Sequence, residues 1–342
     1  MRQVNGVSVI AGYATDEAGL TSLYAIRMDA RYQTSLLFRA PLAGTANRAG
    51  AVRTAAPALT QTSTGRLLLA AIDGTGALVA TLIDATLPTT GAQMRSLARN
   101  ADMRFSPAIG EVNAHLIVAY TDGSATPMRM MTVTTDIALS GATSRDISPA
   151  GMGGASPTWI DGAQSPTLIF VDAHGGLSPL LTATWTAEGT MSPVQVERAL
   201  STIAEPAAIA SGQFGADRYV AYVAIGRAAT SAVGLVKLGA SDPPIAIIPG
   251  VGYGASHVSA ASTRTGIVFV ADAPPTAETA GARQFVARVL DEAGLGQPLT
   301  IPSPEPGPNF ASIARAEGDS FDVAFSTSAA VYLARIRCHL PP

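Results

Sequence analysis

The stretch SPAIGEVNAHLIVAYTDG, Ser106–Gly123, carries the pattern that decides the fold. A proline opens a short strand of small residues, a tight turn follows, and a second, strongly apolar strand comes next. The stretch ends in Asp122-Gly123, a pair typical of hairpin turns because glycine accepts positive φ and aspartate bonds its own backbone. We therefore predict two short strands and a hairpin turn that leads into a third.

The same unit recurs along the whole chain. Its opening prolines are Pro57, Pro107, Pro157 and Pro206, at spacings of 50, 50 and 49 residues. The apolar strand occurs seven times, and its closing acids are Asp16, Asp73, Asp122, Asp172 and Asp272. A third strand follows each apolar strand, and a weaker fourth strand follows most of them. Self-similarity at a fixed period is the signature of a repeat architecture.

Four short strands per roughly 50 residues, separated by Gly, Asp and Pro turns, predict an all-β β-propeller. Seven apolar strands predict seven blades of four short antiparallel strands, and a six-bladed closure is the alternative. A blade packs on its neighbours with both faces, so its strands should be continuous apolar runs such as Leu116–Tyr120. We predict a single domain over residues 1–342. Its approximate repeats are 1–50, 51–100, 101–150, 151–200, 201–250, 251–304 and 305–342.

The first and last repeats are incomplete. The chain begins partway through a first strand and stops after a third strand, at LARIRCHLPP. The first residues also lack the apolar core of a signal peptide. We expect the natural protein to include preceding sequence, with an export signal, and to be extracellular, periplasmic or at the cell surface.

Composition excludes several classes of protein. The net charge is −3, and no basic cluster provides the footprint that nucleic acid needs. Hydrophobic residues make up 47% of the chain, yet no apolar run is long enough for a transmembrane helix. The single cysteine, Cys338, excludes an internal disulfide.

The repeat unit, Pro-Ala-apolar, a short turn and then apolar-Val-Ala-Tyr-x-Asp, resembles repeats of secreted or cell-surface bacterial β-propeller proteins. The resemblance covers essentially the whole chain. It implies binding or surface display more than catalysis. It supplies no catalytic residues, and the sialidase Asp-box pattern does not occur here.

Topology indicates where a ligand would bind. The loops between blades share one face of a propeller with the turns that join second and third strands, over the central channel. Polar candidates on those loops are Arg53, Arg104, Tyr253, His257, Glu305 and Asn309. The repeated acids Asp16, Asp73, Asp122, Asp172 and Asp272 are better interpreted as structural turn residues than as ligands.

No catalytic, cofactor or metal motif is found. The glycine-rich stretch Pro249–His257 lacks nucleotide-loop spacing, and the four histidines lack metal-ligand spacing. The sequence therefore favours a non-catalytic binding or scaffold propeller with a protein or glycan partner. A carbohydrate-binding, lectin-like propeller is the first alternative. A glycoside hydrolase or lyase on the same scaffold is the second, although paired catalytic carboxylates are not evident.

Overall fold

The structure is a computed structural model in which the described residues are almost all in strands and short turns. It describes residues 1–18, 20–29, 31–45, 55–89, 92–160, 165–172, 179–198, 203–225, 231–248, 257–263, 265–273, 284–303, 309–316, 320–326 and 330–337. The chain divides into two compact units. The first comprises Met1–Trp159, Gln164–His174 and Leu181–Gln195, and the second comprises Ile160–Ala163, Gly175–Leu180 and Val196–Pro342.

Four sheets belong wholly or mainly to the first unit, and each contains four strands in chain order. Their strands are β1 (Arg2–Val4), β2 (Val7–Thr15), β3 (Leu20–Met28) and β4 (Thr34–Thr45); β5 (Ala58–Gln61), β6 (Leu67–Ile72), β7 (Leu78–Ile83) and β8 (Arg95–Ala98); β9 (Ala108–Val112), β10 (His115–Asp122), β11 (Arg129–Asp136) and β12 (Thr143–Asp146); and β13 (Ala155–Ile160), β14 (Thr167–Val171), β15 (Leu180–Thr184) and β16 (Gln195–Arg198).

Three sheets belong to the second unit. Their strands are β17 (Ile203–Phe214), β18 (Asp217–Ile225), β19 (Ser231–Lys237) and β20 (Ile245–Ile248); β21 (Val258–Ser262), β22 (Ile267–Ala273), β23 (Gln284–Asp291), β24 (Gly294–Leu295) and β25 (Leu299–Ile301); and β26 (Asn309–Arg315), β27 (Ser320–Ser326) and β28 (Val331–Arg337). Within the described residues, the last sheet has three strands.

These seven antiparallel sheets make the chain a seven-bladed β-propeller, which confirms the predicted fold class over the six-bladed alternative. The predicted apolar strand is the second strand of every sheet. In the third sheet, Ala119 lies opposite Ala108 on one side and Thr132 on the other.

The continuous apolar runs exist because a second strand with a blade on either side buries both of its faces. In β6, Leu67, Leu69 and Ala71 pack into the core shared with the first sheet. The intervening residues, Leu68, Ala70 and Ile72, pack into the core shared with the third sheet. Successive side chains of a strand point to opposite faces, so a blade between two neighbours cannot alternate apolar with polar residues. Full burial of each leucine contributes about 1.5–3 kcal/mol.

The tight turns of the opening stretch follow ordinary hairpin chemistry. Asn113 and Ala114 join β9 to β10 with φ of 48° and 59°. Asn5 and Gly6 join β1 to β2 in the same way, with φ of 49° and 78°. Both turns need two residues with positive φ, a requirement that glycine meets without strain and alanine does not.

Arginine side chains link neighbouring sheets. In the first unit, Arg2 Nε donates to the Leu59 carbonyl at 3.1 Å, and Arg95 Nη1 donates to the Leu139 carbonyl at 3.2 Å. In the second unit, Arg288 Nη1 donates to the Ile247 carbonyl at 2.9 Å. A planar guanidinium can donate hydrogen bonds to carbonyls on two strands at once, and a lysine ammonium is less suited to do so.

Candidate functional site

The best-defined loop on the predicted ligand face connects β8 to β9, residues 99–107; we call it the Arg104 loop. It lies between two Asp-Gly turns. Ala101 N donates to Gly76 O at 2.8 Å, in the turn of the second sheet. On the other side, Gly123 N donates to Asn100 O at 3.1 Å, and Asp102 N donates to Thr121 O at 2.9 Å. The repeated Asp-Gly turns therefore support an inter-blade loop.

The loop is also tied to the start of the inner strand of the second sheet. Ala55 N donates to Met103 O at 3.2 Å, and Ala56 N donates to Ser106 Oγ at 2.8 Å. Phe105 anchors the loop from within, because only 4% of it is exposed. These bonds fix the loop backbone before any ligand binds.

Arg104 extends from this loop and is held by Asp102. The guanidinium Nη2 lies 2.6 Å from Asp102 Oδ2, and Nε lies 3.0 Å from Asp102 Oδ1. The Arg104 guanidinium also sits 5.3 Å from the Phe105 ring centre, and Nη2 lies 3.4 Å from Met128 Sδ. Hydrogen bonding to Asp102 raises the pKa of Arg104 above its ordinary value. The site thus presents a permanently charged, well-positioned hydrogen-bond donor.

Asp102 was not predicted as a site residue, although the sequence contained a signal for it. It stands two residues before Arg104 in the same loop, and its Oδ1 accepts the Arg104 backbone N–H at 2.9 Å. A carboxylate that bonds the backbone two residues later is a standard loop device. The Asp-x-Arg spacing therefore places the carboxylate and the guanidinium side by side.

In the first three sheets, the repeated acids hold their own hairpin turns. Asp73 Oδ1 accepts from Thr75 N at 2.8 Å and from Ala77 N at 2.9 Å. Asp122 Oδ1 accepts from Ser124 N at 2.8 Å, and Asp16 Oδ1 accepts from Leu20 N at 2.9 Å. One carboxylate oxygen of each acid is thereby engaged by the turn.

The other two repeated acids, Asp172 and Asp272, each bond the segment that leads into the first strand of the same sheet. Asp172 and Asp272 are 6% and 2% exposed. Asp172 Oδ1 accepts from Gly153 N at 2.8 Å, and Asp272 Oδ1 accepts from His257 N at 2.8 Å. Each carboxylate thus holds the segment that enters the inner strand of its own sheet.

The remaining predicted ligand residues are distributed as follows. Arg104 belongs to the first unit, whereas His257 and Asn309 belong to the second. His257 is half-buried and precedes β21, and Asn309 is the first residue of β26. Arg53, Tyr253 and Glu305 lie outside the described residues.

The two tryptophans pack against each other in the first unit. Their ring centres are 5.0 Å apart, and Trp159 and Trp185 are 8% and 5% exposed. The indole of Trp159 also covers Gly110 of β9, where an added Cβ would come within 2.6 Å of the ring. Buried in this way, the pair is a packing element between the third and fourth sheets.

Neither a metal-binding cluster nor a membrane-spanning helix is found among the described residues. No group of three or more His, Cys, Asp or Glu side chains among them is arranged to hold a metal ion. Within the same part of the chain, no helix is long and apolar enough to cross a membrane.

Comparison with known proteins identifies the fold. No protein-family model and no curated protein matches the sequence. Among solved structures, the chain is similar to the BP39L lectin from Burkholderia pseudomallei, with a TM-score of 0.60 and 18% identity, covering 98% of this chain and 96% of that one. It is also similar to an ulvan lyase of polysaccharide lyase family PL25, with a TM-score of 0.60 and 10% identity, covering 97% and 90%. A mutant of AofleA from Arthrobotrys oligospora has a TM-score of 0.52 and 11% identity, covering 87% and 90%.

Proposed function

We propose that this chain is a non-catalytic, carbohydrate-binding β-propeller whose ligand contacts the loops between blades. The observation that carries the proposal is the Arg104 loop. Its backbone is hydrogen-bonded to two hairpin turns, and a charged hydrogen-bond donor, Arg104, extends from it with its side chain 58% exposed. Preorganised donors on rigid loops bind polar ligands with little loss of conformational entropy.

The structural neighbours favour a carbohydrate over other ligands. A lectin matches this chain over nearly its whole length, and so does an enzyme named for a polysaccharide. Fold likeness alone assigns no function. Together with the exposed guanidinium, it makes a glycan the first ligand class to test.

Binding is favoured over catalysis by what the acids contact. Glycoside hydrolysis uses two carboxylates about 5–9.5 Å apart across one bond. Asp73 and Asp122 each have an oxygen bonded to their own turn, and Asp102 is paired with Arg104. These contacts support a structural use of the acids in this part of the first unit.

A polysaccharide lyase or glycoside hydrolase is the second candidate. The specific observation in its favour is the ulvan lyase, which is as similar in TM-score as the lectin. A protein-binding scaffold without a glycan ligand is the remaining interpretation. For each of these functions we propose an exported protein, because the repeats resemble those of secreted or surface propellers.

The test is a thermal-shift and calorimetric screen against a panel of neutral and charged polysaccharides. A ligand present at 100 times its Kd should stabilise the folded state by about 2.7 kcal/mol. Saturable binding without chain shortening or new unsaturated ends supports the proposal. Cleavage of a bound polysaccharide supports the second candidate, and absence of binding to every glycan overturns the proposal.

A further inference from the structure

We propose that the Arg104 loop is a subsite for the anionic group of an acidic polysaccharide, a carboxylate or a sulfate. The inference rests on the proposed glycan-binding function and specifies the ligand class of that same site. It follows from how the loop arranges its charges.

The ion pair in the loop is asymmetric. The Asp102 side chain is 12% exposed, whereas the Arg104 side chain is 58% exposed. Both oxygens of Asp102 accept hydrogen bonds, Oδ1 from the Arg104 backbone N–H and Nε, and Oδ2 from Nη2. The negative charge is therefore covered by its own loop, while the positive charge faces solvent.

The loop carries a second arginine. Arg99, at the start of the loop, is exposed. On the neighbouring β10–β11 hairpin, Arg129 lies opposite Asp122 in the strand register, so these two charges offset each other. Asp122 Oδ1 accepts from Ser124 N and Oγ, at 2.8 and 2.6 Å. The loop itself carries two arginines, Arg99 and Arg104, against one carboxylate, Asp102, whereas the whole chain has a net charge of −3.

The position of the guanidinium is set before binding. Asp102, the Phe105 ring and Met128 Sδ hold it from three directions. A guanidinium forms charge-assisted hydrogen bonds with the oxygens of a carboxylate or sulfate, whereas a neutral sugar offers hydroxyl groups only. Charged partners form the stronger hydrogen bonds, so the loop should discriminate in favour of acidic polysaccharides.

The test compares polysaccharides that differ in charge. The full chain is titrated with dextran, dextran sulfate, polygalacturonate and fully methyl-esterified polygalacturonate at fixed ionic strength. We expect the charged member of each pair to bind at least about tenfold more tightly. Preference within only one pair identifies the anionic group as sulfate or as carboxylate. Equal binding within both pairs overturns the anionic-subsite inference but leaves the glycan-binding proposal intact. Absence of binding to all four polysaccharides overturns both proposals.

Variants separate a defined subsite from general charge attraction. Arg104→Ala should weaken binding of the preferred anionic polysaccharide about tenfold and should change binding of its neutral counterpart little. Arg145→Ala is the matched control, since Arg145 is an exposed arginine on the outer strand β12. Arg99→Ala, which leaves the Asp102 pair intact, should weaken anion binding without altering the melting temperature. Equal losses in Arg104→Ala and Arg145→Ala would overturn the subsite.

Discussion

Gly123 lies against Asp102 so closely that a Cβ on the glycine would come within 2.8 Å of Asp102 Oδ2. The glycine of one repeated turn thus makes room for the carboxylate that positions Arg104. The repeated Asp-Gly turn, a structural feature, therefore directly contacts the loop for which we propose a ligand.

Gly123→Ala should displace Asp102 and loosen Arg104. The φ angle of Gly123 lies outside the left-handed region, so the backbone accepts alanine there and the effect on overall stability should be small. Affinity for the anionic glycan should fall because the guanidinium is no longer held in place. Calorimetric titration and thermal unfolding together measure this. Gly296→Ala is a control, since its added Cβ makes only ordinary contact at 3.4 Å; a Gly123→Ala variant with unchanged affinity would contradict the coupling.

Ala114→Gly should stabilise the protein by about 0.5–1 kcal/mol, because alanine is strained at positive φ and glycine is not. Ala114 has φ of 59°, and the equivalent turn at β1–β2 already has a glycine, Gly6, there. The reverse change, Gly6→Ala, should destabilise by a similar amount. Urea unfolding of both variants measures the two effects, which should be opposite in sign.

Arg288→Lys should lower stability by roughly 1–2 kcal/mol, because the lysine ammonium cannot make the same set of bonds. Arg288 Nη1 bonds the Ile247 carbonyl at 2.9 Å, and its Nε bonds the Gly296 carbonyl at 2.8 Å. Arg315→Lys, at an exposed position of β26, serves as the matched control. Similar urea midpoints for the two variants would show that Arg288 does not link its sheets as described.

Trp159→Ala should cost about 3–5 kcal/mol, since it opens a cavity beside Trp185 and over Gly110. The near-UV circular dichroism signal of the tryptophan pair should also be lost, because the protein has only two tryptophans. Trp159→Phe keeps a ring in the space and should lose less. If Trp159→Ala kept full stability and gained glycan affinity, Trp159 would belong to a binding surface instead.

Asp322→Ala should destabilise the last sheet by about 3 kcal/mol, the usual effect of breaking a buried ion pair. Asp322 is fully buried, and its two oxygens lie 2.7 and 2.9 Å from Arg335 Nε and Nη2. Asp217→Ala, which breaks the exposed pair with Lys237, should change stability little. Chemical denaturation of both variants tests the contrast, and comparable losses would contradict it.

Local pattern was sufficient to predict the sheets because a second strand with a blade on either side buries both faces, as in Leu67–Ile72. The long-range contacts of the repeated acids were harder to predict. Asp172 Oδ1 accepts from Gly153 N, 19 residues away in sequence. That contact depends on the path of the preceding inter-blade loop, which the residue type alone does not specify.

The sequence by itself determined the blade count, because the repeat of about 50 residues and the apolar strand within it are local properties of the chain. It also placed Arg104 on an inter-blade loop. Only the tertiary structure decided that Asp102 holds Arg104, that two Asp-Gly turns hold their loop, and that Trp159 lies over Gly110. Those contacts join different sheets or depend on the exact course of a loop, and the periodic pattern within one repeat does not encode them.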